Sequence, residues 1–396
     1  IQGVNDWQKA FEKAGFKNAI IGKEAPTDDP EWSLEDARHS AIVYKPSDIP
    51  NASGPHVHDP RSGEILETHI NWYHNVMSLL YNWYIVQAGA IDPGARKPMF
   101  DDELMGELIR FVSSHEVGHT LGLRHNFGSS ATVPVEKLRD KAWVEANGHT
   151  PSIMDYARFN YVAQPEDSIS RTGIFPRIGM YDKWAIEWGY RIFPGKNVAE
   201  REKNRDLWNQ EKQKDSSLHF SGGVDVRAQA EDLGNDHVVV NAQGIENLKY
   251  LCEHPDAWKV TDKTSLRVLQ GRYEAVLNHY KQWVRHVLSH LGGKRLAETE
   301  DENIYIPEKA AYNQKVMNFI QTYVLQPPVW MFDKTLTTNL EIDGSREFDR
   351  FYEELMSEII RSLQKVGETE NACEDMLSVD DFLESIHNGL FTCLLY

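Results

Sequence analysis

Residues 115–125 read His115-Glu116-Val117-Gly118-His119-Thr120-Leu121-Gly122-Leu123-Arg124-His125. On a helix, His115 and His119 are four apart and project from one face, so two imidazoles can meet one ion. Glu116 stands beside the first of them, where a carboxylate can hold and deprotonate a metal-activated water. Gly122 adopts left-handed dihedrals cheaply and predicts the helix end, after which the chain can swing back and His125 can supply a third nitrogen. Three protein ligands with a fourth position open is the arrangement of a catalytic zinc site, not of a closed structural one. The bland alternative, a chance pattern on a core helix, must place all five specified residues in one short window.

Asp101 and Asp102 are N-cap candidates for a helix carrying Leu104, Leu108, Ile109 and Val112, which runs directly into the histidines. Upstream, Trp7, Ala10, Phe11 and Ala14 recur at helical spacing, with Gly15 where a C-cap would sit. Strands are predicted over 18–21, 40–44 and 64–72, and a helix over 74–90 that ends at the Asp92-Pro93-Gly94 turn. Residues 191–245 read as loop, with Pro194, a charged run over 200–214 and Gly222-Gly223. Helices are then predicted over 246–257, 264–292, 307–325, 345–366 and 378–389, the second of them amphipathic and packed, not a membrane anchor. The expected class is α+β: a catalytic domain over 1–190, a connecting segment over 191–245 and a helical C-terminal subdomain over 246–396.

Further along the chain stands Ser152-Ile153-Met154-Asp155-Tyr156. With the extended histidine motif, this pairing resembles the metzincin clan of zinc metalloproteases. The wording of 115–127, 152–156 and 181–190 is most similar to bacterial proteins carrying an EcxA-type zinc-binding domain. The resemblance implies a mixed twisted sheet packed with an active-site helix, and Zn²⁺ held by His115, His119 and His125. It implies that Glu116 is general base and then acid, and that Met154 floors the metal site. Tyr156 would bind zinc as an extra ligand or stabilise the oxyanion. The strand over 64–72 would border the cleft and pair with an extended peptide substrate. Arg124 and Asn126 depart from the commonest clan variants. The implied activity is zinc-dependent endopeptidase on protein or peptide substrates, in an exported, periplasmic or cell-envelope protein. Two alternatives stand beside it: a zinc hydrolase of another amide, and a zinc-binding assembly module without turnover. The clan's domain opens with a strand, whereas here helical spacing begins near Val4. The expectation is therefore that at least one strand and upstream domains of a longer parent are missing, leaving a sheet edge exposed.

Composition bounds these readings. The 396 residues carry 42 Lys+Arg against 60 Asp+Glu, a net charge of −18, which argues against nucleic acid as a partner. The most apolar run, 76–91, is interrupted by Asn82 and Gln87 and falls short of a membrane span. Cys252, Cys373 and Cys393 fit no zinc motif and allow one disulfide at most. Three weaker signals remain. His56, His58 and Asp59, with His69 and His74 nearby, could form a second metal site but read more simply as solvated loop histidines. Asp225, Glu231, Asp232 and Asp236 could bind Ca²⁺, although the EF-hand spacing is absent. Trp184 and Trp188, four apart, are expected to pack in the core.

Overall fold

The Asp101 carboxylate accepts the Leu104 N–H at 3.0 Å and opens the central helix, Asp102–Thr120, with two further acids in its first turn. Around this helix a computed structural model describes residues 1–261, 264–296, 305–371 and 376–393. The chain starts with two short helices, α1 (Gln2–Asn5) and α2 (Gln8–Lys13). Strands β1 (Ala41–Lys45), β2 (Ala52–Ser53), β3 (His56–His58) and β4 (Ile65–Tyr73) follow, then α3 (Val76–Ala88) and the central helix, α4. Next come α5 (Lys141–Asn147), α6 (Arg171–Ile174) and α7 (Met180–Tyr190). The second half holds α8 (Val198–Lys212), α9 (His237–Glu253) and α10 (Leu266–Leu288), a small antiparallel pair β5 (Lys294–Leu296) and β6 (Tyr305–Pro307), then α11 (Ala310–Tyr323), α12 (Lys334–Asn339), α13 (Gly344–Thr369) and α14 (Val379–Cys393).

The main sheet is mixed. β4 pairs in parallel with β1, Ala41 to Lys45 lying opposite His69 to Tyr73. Its other edge pairs antiparallel with β2 and β3 in one continuing register, Ala52 opposite Trp72 and His56 opposite Thr68, until a bulge at Val57/His58. β4 is therefore paired on both edges at Asn71 and Trp72, and β3 takes one edge over 65–68, so on that side an extended chain would meet β2 and β3 before the 64–72 strand. The outer edge of β1 has no strand partner among the described residues. Ile70 and Trp72 point from β4 into a core that includes Trp7, Leu80, Tyr84, Leu104, Leu108 and Met154.

Several expectations need correcting. Residues 18–21 form no strand; among the described residues Ile20 and Ile21 have no neighbouring edge to pair with. The 191–245 segment is not loop throughout: its first part holds α8, a highly charged helix with no buried residue and hence little apolar period to read. α9 starts at His237, capped by Asp236, nine residues before the predicted start at 246. Trp184 is buried, but Trp188 is 45% exposed, stacked on Trp184 and faced by Arg205. Cys252 is buried and free, while Cys373 and the Cys393 side chain lie outside the described residues.

A second core joins the two halves of the chain: Val133, Leu138, Tyr161 and Val162 pack with residues of α9, α10, α11 and α13. Tyr161 stacks on Trp283 with centroids 4.6 Å apart. Asn247 donates to the Tyr161 and Ala163 carbonyls at 2.9 and 2.7 Å. At this joint α9 presents Gly244, where a Cβ would meet Trp283 and Tyr161 at 2.8 and 2.9 Å.

Two buried histidines away from any ligand set make folding acid-sensitive. Burial holds His149 down at about 4 and His286 at about 3, against 6.5 when unfolded. Above the unfolded value both are neutral in either state. Below it the unfolded chain takes up protons that the folded chain refuses, so stability falls by about 1.4 kcal/mol per pH unit per group. Between about pH 7 and 4.5 these two groups should together withdraw on the order of 4–5 kcal/mol, read as the part of the pH dependence of urea unfolding that His149→Gln and His286→Gln remove. A pH dependence left unchanged by both substitutions would refute it.

Candidate metal centre

α4 ends as the motif predicts. Gly122 takes φ 90°, and the Leu123 N–H reaches back to the Gly118 carbonyl at 3.1 Å, a Schellman closure that turns the chain under its own last turn. The turn returns His125 to the face carrying His115 and His119. His125 Nε2 lies 3.2 Å from His115 Nε2 and 3.0 Å from His119 Nε2. Among the described residues only this trio brings three ligand atoms of His, Cys, Asp or Glu together, all within 4.8 Å.

Backbone carbonyls set the tautomers. His115 Nδ1 faces the Ile153 carbonyl at 2.7 Å, and His119 Nδ1 faces the Leu123 carbonyl at 3.0 Å. A proton on each Nδ1 leaves the Nε2 lone pair free for a metal, the usual outer support of an imidazole ligand. Burial also keeps the rings neutral, holding His115 well below its ordinary value and His125 down at about 4. Three neutral imidazole nitrogens converging on one point suit Zn²⁺.

Glu116 is buried beside them, and burial pushes its carboxyl up to about 7. The Gly54 backbone N–H donates to this carboxylate. Gly54 sits between β2 and β3 so close to α4 that a Cβ there would collide with the Glu116 carbonyl. His56 Nδ1 lies 3.3 Å from the His119 carbonyl. The edge bordering the metal centre is thus the 52–58 segment.

Met154 is fully buried, its sulfur against Gly118 of α4, where no larger residue would fit. Tyr156 follows on the same turn, its ring 4.2 Å from His125 and 5.3 Å from His115. All seven site residues expected from the sequence are therefore brought together: Gly122 at the turn, the three histidines and Glu116 above, Met154 below and Tyr156 alongside.

Four contributors were not foreseen: Asp182, Gly54, Arg158 and Glu231. The fully buried Asp182 accepts from Ser152 Oγ at 2.6 Å and from the Ile153 and Gly179 N–H groups at 2.7 Å each. Burial nevertheless pushes its carboxyl up to about 6. One residue, Ile153, separates this carboxylate from a ligand: its N–H goes to Asp182 and its carbonyl to His115. The only local signal was an acid three residues after Gly179 at a helix start. Gly54 and Glu231 act across long sequence separations and left none, and Arg158, beside the Met turn, carries no motif of its own.

The weaker candidates have separate partners. Asp59 binds Arg61, His69 lies against Glu67, and His74 against Tyr44. Of the acidic segment, Asp225 binds Arg227, Asp232 lies against His237, Asp236 caps α9 and binds Lys315, and Glu231 binds Arg158.

A family model described as Met-zincin matches residues 97–395, from α4 through the helical half. No curated protein and no solved structure matches the chain.

Proposed function

The chain belongs to the Met-zincin family, and on that premise we propose that it is a zinc-dependent endopeptidase in which Glu116 activates the attacking water. The observation that supports this best is the convergence of three neutral imidazole nitrogens beside one buried carboxylate. Zinc bound by these nitrogens supplies Lewis acidity, polarising the scissile carbonyl and making water a nucleophile near neutral pH.

The chain's own groups do the rest. Glu116 accepts the water proton on a carboxylate held by the Gly54 N–H, then returns it to the departing amine. Burial raises this carboxyl, which favours its holding the proton between the two steps. The Tyr156 hydroxyl donates to the oxygen on which negative charge develops. Met154 and Gly118 keep the floor rigid, so the ligands need not reorganise during turnover. An extended protein or peptide lies along the outer edge of β2 and β3, strands that pair only with β4 among the described residues. The resemblance to exported bacterial enzymes supports an envelope or extracellular location. No helix among the described residues is long and apolar enough to cross a membrane.

The test is casein hydrolysis with zinc content measured on the same sample. Cleavage is expected to stop on chelation and return with added Zn²⁺. One equivalent of zinc without chelator-sensitive cleavage would favour a non-catalytic binding module instead.

A further inference from the structure

Two residues beyond Tyr156 the backbone of Arg158 takes a left-handed conformation, φ 56°, and its side chain is almost wholly buried. The guanidinium lies over the Trp83 ring of α3 at 3.6 Å and over the Tyr156 ring at 4.1 Å. Its Nε donates to Glu231 Oε1 at 3.2 Å. Glu231, in the segment leading to α9, is itself left-handed, φ 65°. Two of the five non-glycine residues with positive φ among the described residues thus form this one ion pair. L-residues avoid that region because Cβ crowds the backbone; it persists where surrounding contacts over-determine it, and it gathers at functional sites.

The grip extends further. His279 of α10 stands 3.9 Å from Glu231 and faces Gln87, whose Oε1 accepts the Phe159 N–H at 3.0 Å. None of these contacts touches a histidine of the metal site. All of them converge on the short segment that carries Tyr156. The guanidinium is also near enough for its charge to act on Glu116, His115 and His125.

We propose that Arg158 is a positioning residue: held by Glu231 and Trp83, it fixes the Tyr156 ring against His115 and His125, so that the helical half takes part in the reaction through this one side chain. The role in turnover rests on the peptidase reading above; the placement of Tyr156 does not. Lysine would keep the charge but lose the planar stacking, so Arg158→Lys should restore only part of what Arg158→Met removes.

The experiment combines kinetics, zinc content and ¹⁹F NMR of protein carrying 3-fluorotyrosine, with the Tyr156 resonance assigned by its loss in Tyr156→Phe. Arg158→Met is expected to keep its zinc, shift the Tyr156 resonance and lower kcat about 10- to 100-fold with KM changed by no more than about twofold. Glu231→Gln, the milder variant, should shift the resonance the same way with a smaller loss. The double variant should fall no further than Arg158→Met alone. An unmoved resonance in zinc-loaded Arg158→Met or Glu231→Gln overturns the proposal whatever the activity, and so does a moved resonance with kcat retained. If the unsubstituted chain cleaves nothing, the peptidase reading has failed, and the resonance still decides whether Arg158 places Tyr156.

Discussion

Glu116→Gln is expected to abolish measurable peptide hydrolysis while leaving zinc in place. General acid–base catalysis by a placed side chain is worth about 10²- to 10⁴-fold, and here one carboxylate serves both proton transfers, so the loss should fall in the upper part of that range. Glutamine keeps the shape and still offers the Gly54 N–H an acceptor, so the seam between the 52–58 segment and α4 need not move. It also removes a charge from a side chain that is only 8% exposed, which should leave stability level or slightly raised. Zinc stoichiometry and thermal midpoint, measured beside casein or peptide turnover, separate loss of chemistry from loss of structure. A zinc-loaded variant with full activity would sink the role given to Glu116.

The second large effect is expected at Asp182, which touches neither metal ligand nor substrate. Truncation to alanine strands three donors in a dry interior: the Ser152 hydroxyl and the Ile153 and Gly179 N–H groups. Each unsatisfied buried donor costs about 1–3 kcal/mol, so the variant should lose on the order of 3–6 kcal/mol of stability. Because the Ile153 carbonyl orients His115, zinc affinity should fall about 10- to 100-fold, as for other outer supports of metal ligands. Asp182→Asn keeps the volume and one acceptor and should fall between. Competition titration with a chromophoric chelator reads the affinity, and urea unfolding reads the stability. Wild-type zinc affinity in a folded Asp182→Ala would show that the Met turn does not depend on this carboxylate.

The two halves of the site differed in how readably they were written. His115, Glu116, His119, Gly122 and His125 are bound to one another by helix geometry and a single turn, so spacing along the chain is enough to find them. Ser152 to Tyr156 carries no such geometry and was found through its likeness to a clan pattern. Gly54, Asp182 and Glu231 reach the same place by folding from elsewhere, with only the helix-start position of Asp182 as a local mark, and Arg158, two residues beyond Tyr156, shows its role only through the distant Trp83 and Glu231. The fold divides similarly. Helices with an apolar stripe, such as α4 and α10, declared themselves, whereas α8 buries nothing and looked like loop. Residues 18–21 have strand composition, but a strand is made by a neighbour, and none lies beside them among the described residues. Trp184 and Trp188 shared the right spacing, yet only one of the two turned inward.

The sulfur of Met154, closed in by Gly118, also gives the protein a built-in record of its history in oxidants. Peroxide acts on the thioethers it can reach, and Met99 and Met180, 61% and 47% exposed, will take up oxygen while the fold is intact. Met154, at 0%, has no room beside Gly118 for a sulfoxide oxygen. A chain carrying that modification has therefore been open at its centre, and an oxidised Met154 would prop apart the floor it once completed.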